Sequence, residues 1–117
     1  MDEKYFSVAL LNKRTGYDPE VMREMFEYFS DSYTEYFDVF QKAIEEEDWK
    51  RLSETAHRAK SSVAIMGMES IRQDFNELEL LAEKGQETGH YKSRIDDLRK
   101  RVEMAVRQIQ EYLETHA

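Results

Sequence analysis

Apolar residues recur every three or four positions along most of the chain, with charged residues between them. This spacing is typical of helices that bury one face. The longest pattern follows Asp18-Pro19-Glu20, which places an N-cap, a first-turn proline and an acid at a helix start. The predicted helix runs to about Glu46. Its apolar stripe is Met22, Met25/Phe26, Phe29, Tyr33, Tyr36/Phe37, Phe40 and Ile44.

Three further stripes predict three further helices, and a short apolar segment precedes them all. Asp48 is a predicted N-cap, and Gly67 stands where a left-handed residue would end the helix that Asp48 begins. The next helix begins at about Glu69, and the turn at 84–89 separates it from the last. The stripes are Trp49, Leu52, Ala56, Ala59, Val63 and Met66; Ile71, Phe75, Leu78 and Leu81/Ala82; and Tyr91, Ile95, Leu98, Val102, Ala105/Val106, Ile109 and Leu113. The N-terminal segment carries Phe6, Leu10 and Leu11.

These elements predict an all-α protein, an antiparallel up-and-down four-helix bundle with a short additional N-terminal helix. The length of 117 residues suits one domain over residues 1–117. Hydrophobic residues make up 40 % of the chain, which is enough for a core, and a single proline leaves few helix breakers. Because one bundle uses all of the apolar stripes, we expect a monomer.

Composition excludes several classes of protein. The chain has no cysteine, which rules out disulfides, thiolate metal sites and a cysteine nucleophile. A net charge of −8 argues against nucleic-acid binding and fits selected protein partners. There is no apolar run of about 18 residues, and the start MDEKYF lacks the basic and apolar regions of a signal peptide. We therefore expect a cytoplasmic protein that does not enter membranes.

A histidine stands beside the apolar stripe of the third predicted helix. His57 lies about 100° around the helix from Ala56, and Lys60 and Ser61 share its face. A neutral imidazole is a nitrogen nucleophile, and Lys60 is spaced to reach a phosphoryl group carried on it. A unit charge pair at about 4 Å contributes ~1 kcal/mol in water and ~4 kcal/mol at an effective dielectric of 20. That would orient a phosphoryl group without trapping it.

Small side chains lie around His57 on the same face. Ser53, Ser61 and Ala64 would leave room for another protein's active site to close over the imidazole. A surface histidine with an ordinary lysine neighbour is the plainer interpretation of His57 and Lys60 taken alone. Together with the small residues and the helix-ending glycine, they favour a functional site.

The segment HRAKSSVAIMG at 57–67 resembles the motif H-x-x-K-G/S-x-x-x-x-x-G of the histidine-containing phosphotransfer (HPt) domain family. The likeness covers nearly the whole chain, including the short leading helix, the Asp-Pro-Glu helix start and the long last helix. Two positions differ from the usual pattern. Ser61 replaces a frequent glycine but is still small, and Ala59 replaces a larger aliphatic residue beneath the site.

The resemblance implies a histidine phosphotransfer protein of a two-component phosphorelay, itself a phosphoprotein. His57 would accept a phosphoryl group from the phospho-aspartate of one receiver domain and pass it to another. Lys60 would stabilise the phosphoryl group and Ser61 would give access to it. Glu79, at the family's matching distance along the chain, would orient the ring.

The resemblance also implies partners and a docking surface. The partners would be receiver domains of response regulators or hybrid kinases, and these would supply Mg²⁺. We therefore expect no metal and no cofactor on this chain. Ser53, Ala64 and Met68, on the face of His57, are the predicted docking residues.

The sequence also has features to compare with other classes of helical protein. A histidine kinase usually has an acid after its histidine and a proline a few residues later, whereas Arg58 follows here and the only proline is Pro19. With no glycine-rich loop for nucleotide phosphates, we expect no ATP-binding or kinase catalytic domain, and a phosphocarrier rather than an autonomous enzyme. A helical adaptor, including a degenerate HPt domain that binds receivers without phosphoryl transfer, stays open as the alternative.

A di-iron carboxylate bundle uses Glu-x-x-His pairs, and the segments 54–57 and 87–90 match that spacing. The second pair falls in a glycine-containing turn, and the first lies off the buried stripe, whereas metal ligands should point inward. We therefore disfavour this class, although tight binding of iron or manganese by the purified protein would favour it. His90 and His116 receive no role.

Overall fold

The computed structural model describes residues 4–116, and every regular element in this range is helical. Capping side chains begin the helices where the sequence places them. Asp18 accepts hydrogen bonds from the amides of Glu20 and Val21, and Asp48 accepts one from the amide of Arg51. Both predicted N-caps are confirmed. The helices are α1 (Val8–Arg14), α2 (Pro19–Glu45), α3 (Trp49–Ile65), α4 (Glu69–Lys84) and α5 (Tyr91–His116), with a 3-10 turn at Thr88–His90.

The four long helices pack around one apolar core. α3 contacts α2 and α4, and α5 contacts the same two helices from the other side. Aromatic rings from α2 and α4 meet at the centre, where Phe75 lies 6.0 Å from Phe40 and 6.4 Å from Phe37 between ring centroids. Such large buried rings supply much of the apolar area that holds a bundle together. No helix of the described range is both apolar and long enough to cross a bilayer.

The corner between α3 and α4 is built on Gly67. Its φ of +74° is the left-handed conformation that glycine adopts without a steric penalty. The amide of Gly67 donates to the Ala64 carbonyl, and the amide of Met68 donates to the Val63 carbonyl, which is the hydrogen-bond pair of a Schellman helix end. The chain therefore leaves the direction of α3 after Ile65, as the sequence predicts for this glycine.

The N-terminal segment packs against this corner. The Ser7 amide donates to the Gly67 carbonyl at 2.8 Å. A Cβ atom on residue 67 would lie 2.9 Å from the Ser7 carbonyl oxygen and 3.2 Å from the Leu11 amide nitrogen. A glycine is thus required here for two reasons, its backbone conformation and the close approach of α1.

Candidate functional site

The imidazole of His57 projects from the middle of α3 into solvent, with 60 % of its side chain exposed. Its neighbours Ala56 and Ala59 are buried against the core, so His57 sits on the flank of the buried stripe as the helical spacing predicts. The ring is open to a partner molecule, while its helix is fixed from behind.

Glu79 of α4 contacts this ring. Its Oε2 lies 3.1 Å from His57 Nδ1, and only 16 % of the Glu79 side chain is exposed. Ser53 of α3 donates its hydroxyl to the Glu79 backbone carbonyl at 3.1 Å, which fixes this part of α4 against α3. The structure thus contains the contact expected of Glu79. Its role in chemistry stays a prediction.

Lys60 points towards α4 rather than straight outward. Its Nζ lies 2.8 Å from Glu79 Oε1 and donates a hydrogen bond to Asn76 Oδ1 at 3.1 Å. The Lys60 side chain is 21 % exposed. One carboxylate therefore contacts two cationic or potentially cationic groups, Lys60 through Oε1 and His57 through Oε2.

The electrostatic balance at Glu79 favours its ionised form. Burial raises the pKa of this carboxyl, but the contacts with Lys60 and His57 outweigh burial and hold the pKa below its usual range. An ionised carboxylate can only accept a hydrogen bond. When the imidazole is neutral, its proton must then lie on Nδ1, and Nε2 keeps its lone pair.

Ser61, one turn after His57, is exposed, and its hydroxyl donates to the His57 backbone carbonyl at 3.4 Å. A small side chain bonded to its own helix leaves the space beside the ring open. Ala64, a predicted docking residue, is half-buried, and Ile65 beside it is exposed. Their role in docking stays a prediction.

Two predicted docking residues are not on the exposed face, so those two expectations are wrong. Met68 is fully buried, at 0 % exposure, because α3 ends at Ile65 and the corner turns the following residues back into the core. The face of His57 cannot be extended past that corner by helical spacing. Ser53 is buried because it lies in the seam between α3 and α4, where it hydrogen bonds to Glu79.

Asn76 is the one residue of this cluster that the sequence analysis missed. It is half-buried on α4, one turn before Glu79, and accepts the hydrogen bond from Lys60. The available signal was its i, i+3 spacing from Glu79, which places the two side chains on neighbouring positions of one helix.

The geometry also bears on the di-iron alternative. Glu54 is exposed, and so is His90 in the 3-10 turn, whereas the ligands of a bundle metal site project inward. Over residues 4–116, no three histidine or acidic side chains are grouped so that they could hold a metal ion. His116 stacks on Tyr112 near the end of α5.

Comparison with known proteins adds one match. A model of the Hpt domain family matches residues 24–115, a segment that contains all of α3 and α4 and with them His57, Lys60, Asn76 and Glu79. Neither a search of curated proteins nor a search of solved structures gave a match. Since the matched segment covers most of the chain, the protein belongs to the Hpt domain family.

Proposed function

We propose that this protein is a phosphocarrier of a two-component phosphorelay and that it carries the phosphoryl group on Nε2 of His57. One observation supports this most: an exposed imidazole whose Nδ1 is held by a half-buried carboxylate, so that Nε2 is the free nucleophile. Membership of the Hpt family supports the same chemistry.

The proposed transfer moves the phosphoryl group in two displacement steps. The Nε2 lone pair attacks the phosphorus of a receiver's phospho-aspartate, the phosphorus–oxygen bond breaks, and its electron pair returns to the aspartate carboxylate. The ring, still protonated on Nδ1, becomes cationic, and Glu79 stabilises that charge at 3.1 Å. Attack by the aspartate of a second receiver then returns the electron pair of the nitrogen–phosphorus bond to Nε2.

In this proposal the chain contributes position and charge. Lys60 lies one helical turn from His57 and stabilises the phosphoryl oxygens, and Ser61 leaves the approach open. Receiver domains of response regulators or hybrid kinases bring the Mg²⁺, so this chain needs no metal or cofactor of its own. Ala64 and Ile65 form part of the surface on which they dock.

We also propose a domain organisation, a compartment and an oligomeric state for this protein. Residues 1–117 form a single domain, an antiparallel up-and-down bundle with α1 added, that works as a cytoplasmic monomer. The short connections between the long helices and the contacts of α2 and α4 with both α3 and α5 support the bundle, and the extent of the family match supports a single domain.

The test is transfer of labelled phosphoryl groups from a panel of phosphorylated receiver domains of the same organism. Wild type is compared with His57→Gln and with the matched control His90→Gln, which changes an exposed histidine outside the site. We expect wild type and His90→Gln to take up label in an acid-labile, base-stable bond, and His57→Gln to take up none. If a receiver binds wild type but never transfers label, the protein is an adaptor and this proposal is wrong.

A further inference from the structure

The ammonium of Lys60 has two polar partners on α4. Its Nζ lies 2.8 Å from Glu79 Oε1 and donates a hydrogen bond to Asn76 Oδ1 at 3.1 Å. An ammonium carries three N–H donors, so these two partners leave one donor for a third acceptor. An arriving phosphoryl group would therefore meet an ammonium whose hydrogen-bonding capacity is mostly used.

The positive charge of Lys60 is also balanced within the protein. The side chains of Lys60 and Glu79 are 21 % and 16 % exposed, so solvent screens their ion pair less than it screens a fully exposed pair. Burial raises the pKa of the Glu79 carboxyl, and the hydrogen bond from Lys60 is the largest of the contacts that lower it. Glu79 therefore depends on the same cation that would stabilise a phosphoryl group.

The orientation of the His57 ring sets the side on which a phosphoryl group would form. Glu79 Oε2 lies 3.1 Å from His57 Nδ1. The two nitrogens of an imidazole point away from each other, so a group on Nε2 would form on the ring edge that faces away from Glu79. Lys60 would then be attracted in two directions, by Glu79 and by the phosphoryl oxygens.

We infer that Glu79 competes with the phosphoryl group for Lys60 and so limits how tightly this protein holds its phosphoryl group. The inference rests on the proposed function and adds regulation of the same site. Glu79 then has two opposing effects, because it stabilises the charged ring but weakens the hold of Lys60 on the phosphoryl group. Such a limit favours onward transfer, since a group bound more tightly in the ground state faces a higher barrier to leaving.

The test compares the effect of Lys60→Met in two backgrounds, wild type and Glu79→Gln. The measured quantity is the equilibrium constant for exchange of a labelled phosphoryl group between His57 and the aspartate of one receiver domain. Any effect of Glu79→Gln on the ring is present with and without Lys60, so it cancels when the Lys60 effect is taken within each background. Glu77→Gln is the matched control, because it removes another α4 carboxylate, one that pairs with Arg94 of α5.

Lys60→Met should lower the equilibrium constant for phosphorylation of His57 roughly threefold in wild type, because Glu79 already takes up much of the cation. In the Glu79→Gln background the same change should lower it roughly tenfold or more, since the ammonium then serves the phosphoryl group as a charged donor. In the Glu77→Gln background the loss should match wild type. A Lys60 effect that is equal or smaller in Glu79→Gln would overturn the inference.

A second variant and a second measurement support this test. Glu79→Ala removes the carboxylate without leaving an amide, and it should behave as Glu79→Gln does even if one of the two disturbs folding. Phosphoramidate phosphorylates histidine without a receiver domain, and the ¹⁵N signal of Lys60 Nζ is recorded before and after this reaction. The signal should change more in both Glu79 variants than in wild type, and it should not change in His57→Gln. Equal changes in wild type and the Glu79 variants would contradict competition for Lys60.

Failure of the two proposals can be told apart. If wild type exchanges label with a receiver but the Lys60 effect does not depend on Glu79, the phosphocarrier function stands and the competition is wrong. If wild type exchanges label with no receiver, the proposed function is wrong. The measurement with phosphoramidate needs no receiver, so it would still decide whether Glu79 competes for Lys60.

Discussion

The two flanks of α4 pair carboxylates with cations in different ways. On the flank that faces α5, Glu77 lies 3.3 Å from Arg94, and Asp74 contacts Arg101. These carboxylates are 56 % and 43 % exposed. On the flank that faces α3, Glu79 is 16 % exposed and contacts both Lys60 and His57.

The comparison shows that burial and the number of partners decide what a helix-borne carboxylate can do. Solvent and salt screen an exposed pair, which typically contributes about 0–1 kcal/mol. At Glu79 the cost of burial is overcome only because two partners converge on one carboxylate. The α5 flank therefore carries surface ion pairs, while the carboxylate of the α3 flank contacts both the imidazole of His57 and the ammonium of Lys60.

The largest expected effect is a loss of folding stability when a core residue between the two flanks of α4 is truncated. Phe75 lies on α4 between them and is buried against the rings of Phe37 and Phe40. Phe75→Ala should lower the free energy of unfolding by about 3–5 kcal/mol, because it removes a buried ring and leaves a cavity. Equilibrium urea unfolding measures this loss. The control Leu80→Ala, at an exposed position of α4, should lower the free energy of unfolding far less. Equal losses of unfolding free energy in the two variants would contradict the role of Phe75 in the core.

The second prediction is that phosphoryl transfer depends on the carboxylate of the α3 flank but not on a carboxylate of the α5 flank. Glu79→Gln removes the charge at His57 while keeping the shape of the side chain. A hydrogen bond to a charged group contributes about 1.5–3 kcal/mol, so the phosphoryl transfer rate should fall roughly 10- to 100-fold. Glu77→Gln makes the same change on the α5 flank and should leave the rate unchanged. Rapid-quench transfer from one phosphorylated receiver measures both variants. Similar rates in the two would remove the functional distinction between the flanks.

The third prediction concerns pH. The folded-state pKa of Glu79 lies below its ordinary value, so the unfolded chain takes up this proton more readily than the folded protein does. The stability from Glu79 should be complete above the unfolded pKa of about 4.3 and should be lost as pH falls through the lower folded pKa. The measurement is the difference in unfolding free energy between wild type and Glu79→Gln at neutral and acid pH.

The difference in unfolding free energy between wild type and Glu79→Gln should shrink as the pH is lowered below about 4.3. In a Lys60→Met background the difference should be smaller at every pH, because one stabilising contact of Glu79 is gone. A difference that stays constant with pH would show that Glu79 gains nothing from its partners.

The smallest expected effect is on the α5 flank. Arg101 contacts Asp74 and Asp97, both of which are substantially exposed. Arg101→Met keeps the aliphatic stem of the side chain and should cost less than about 1 kcal/mol of unfolding free energy. The loss should shrink further in high salt, and the transfer rate should stay at its wild-type value. A loss that salt does not change would mean that this pair is more than a surface contact.

Local sequence signals predicted the helices well. Asp18 and Asp48 are the N-caps, and Gly67 ends α3, because capping and left-handed turns depend on residues within one helical turn. The same locality explains the error at Met68. Helical spacing projected its side chain along α3, but the helix had already ended.

The site was predicted only where one helix carries the information. His57, Lys60 and Ser61 share a face of α3, so spacing alone groups them. The hydrogen bond from Lys60 to Asn76 and the burial of Ser53 depend on how α3 and α4 are aligned across their seam. Side-chain packing between two helices sets that alignment, and a pattern within either helix does not contain it.

The contact between Ser7 and Gly67 has a consequence for the order of folding. It joins two backbone segments that are far apart in the chain, and it requires the left-handed turn at Gly67 to be formed already. The helical hairpin of α3 and α4 closes a short loop, whereas docking of α1 must close a long one, at a greater cost in chain entropy. We therefore expect the first helix of the chain to be among the last parts to reach its place, after the corner that receives it.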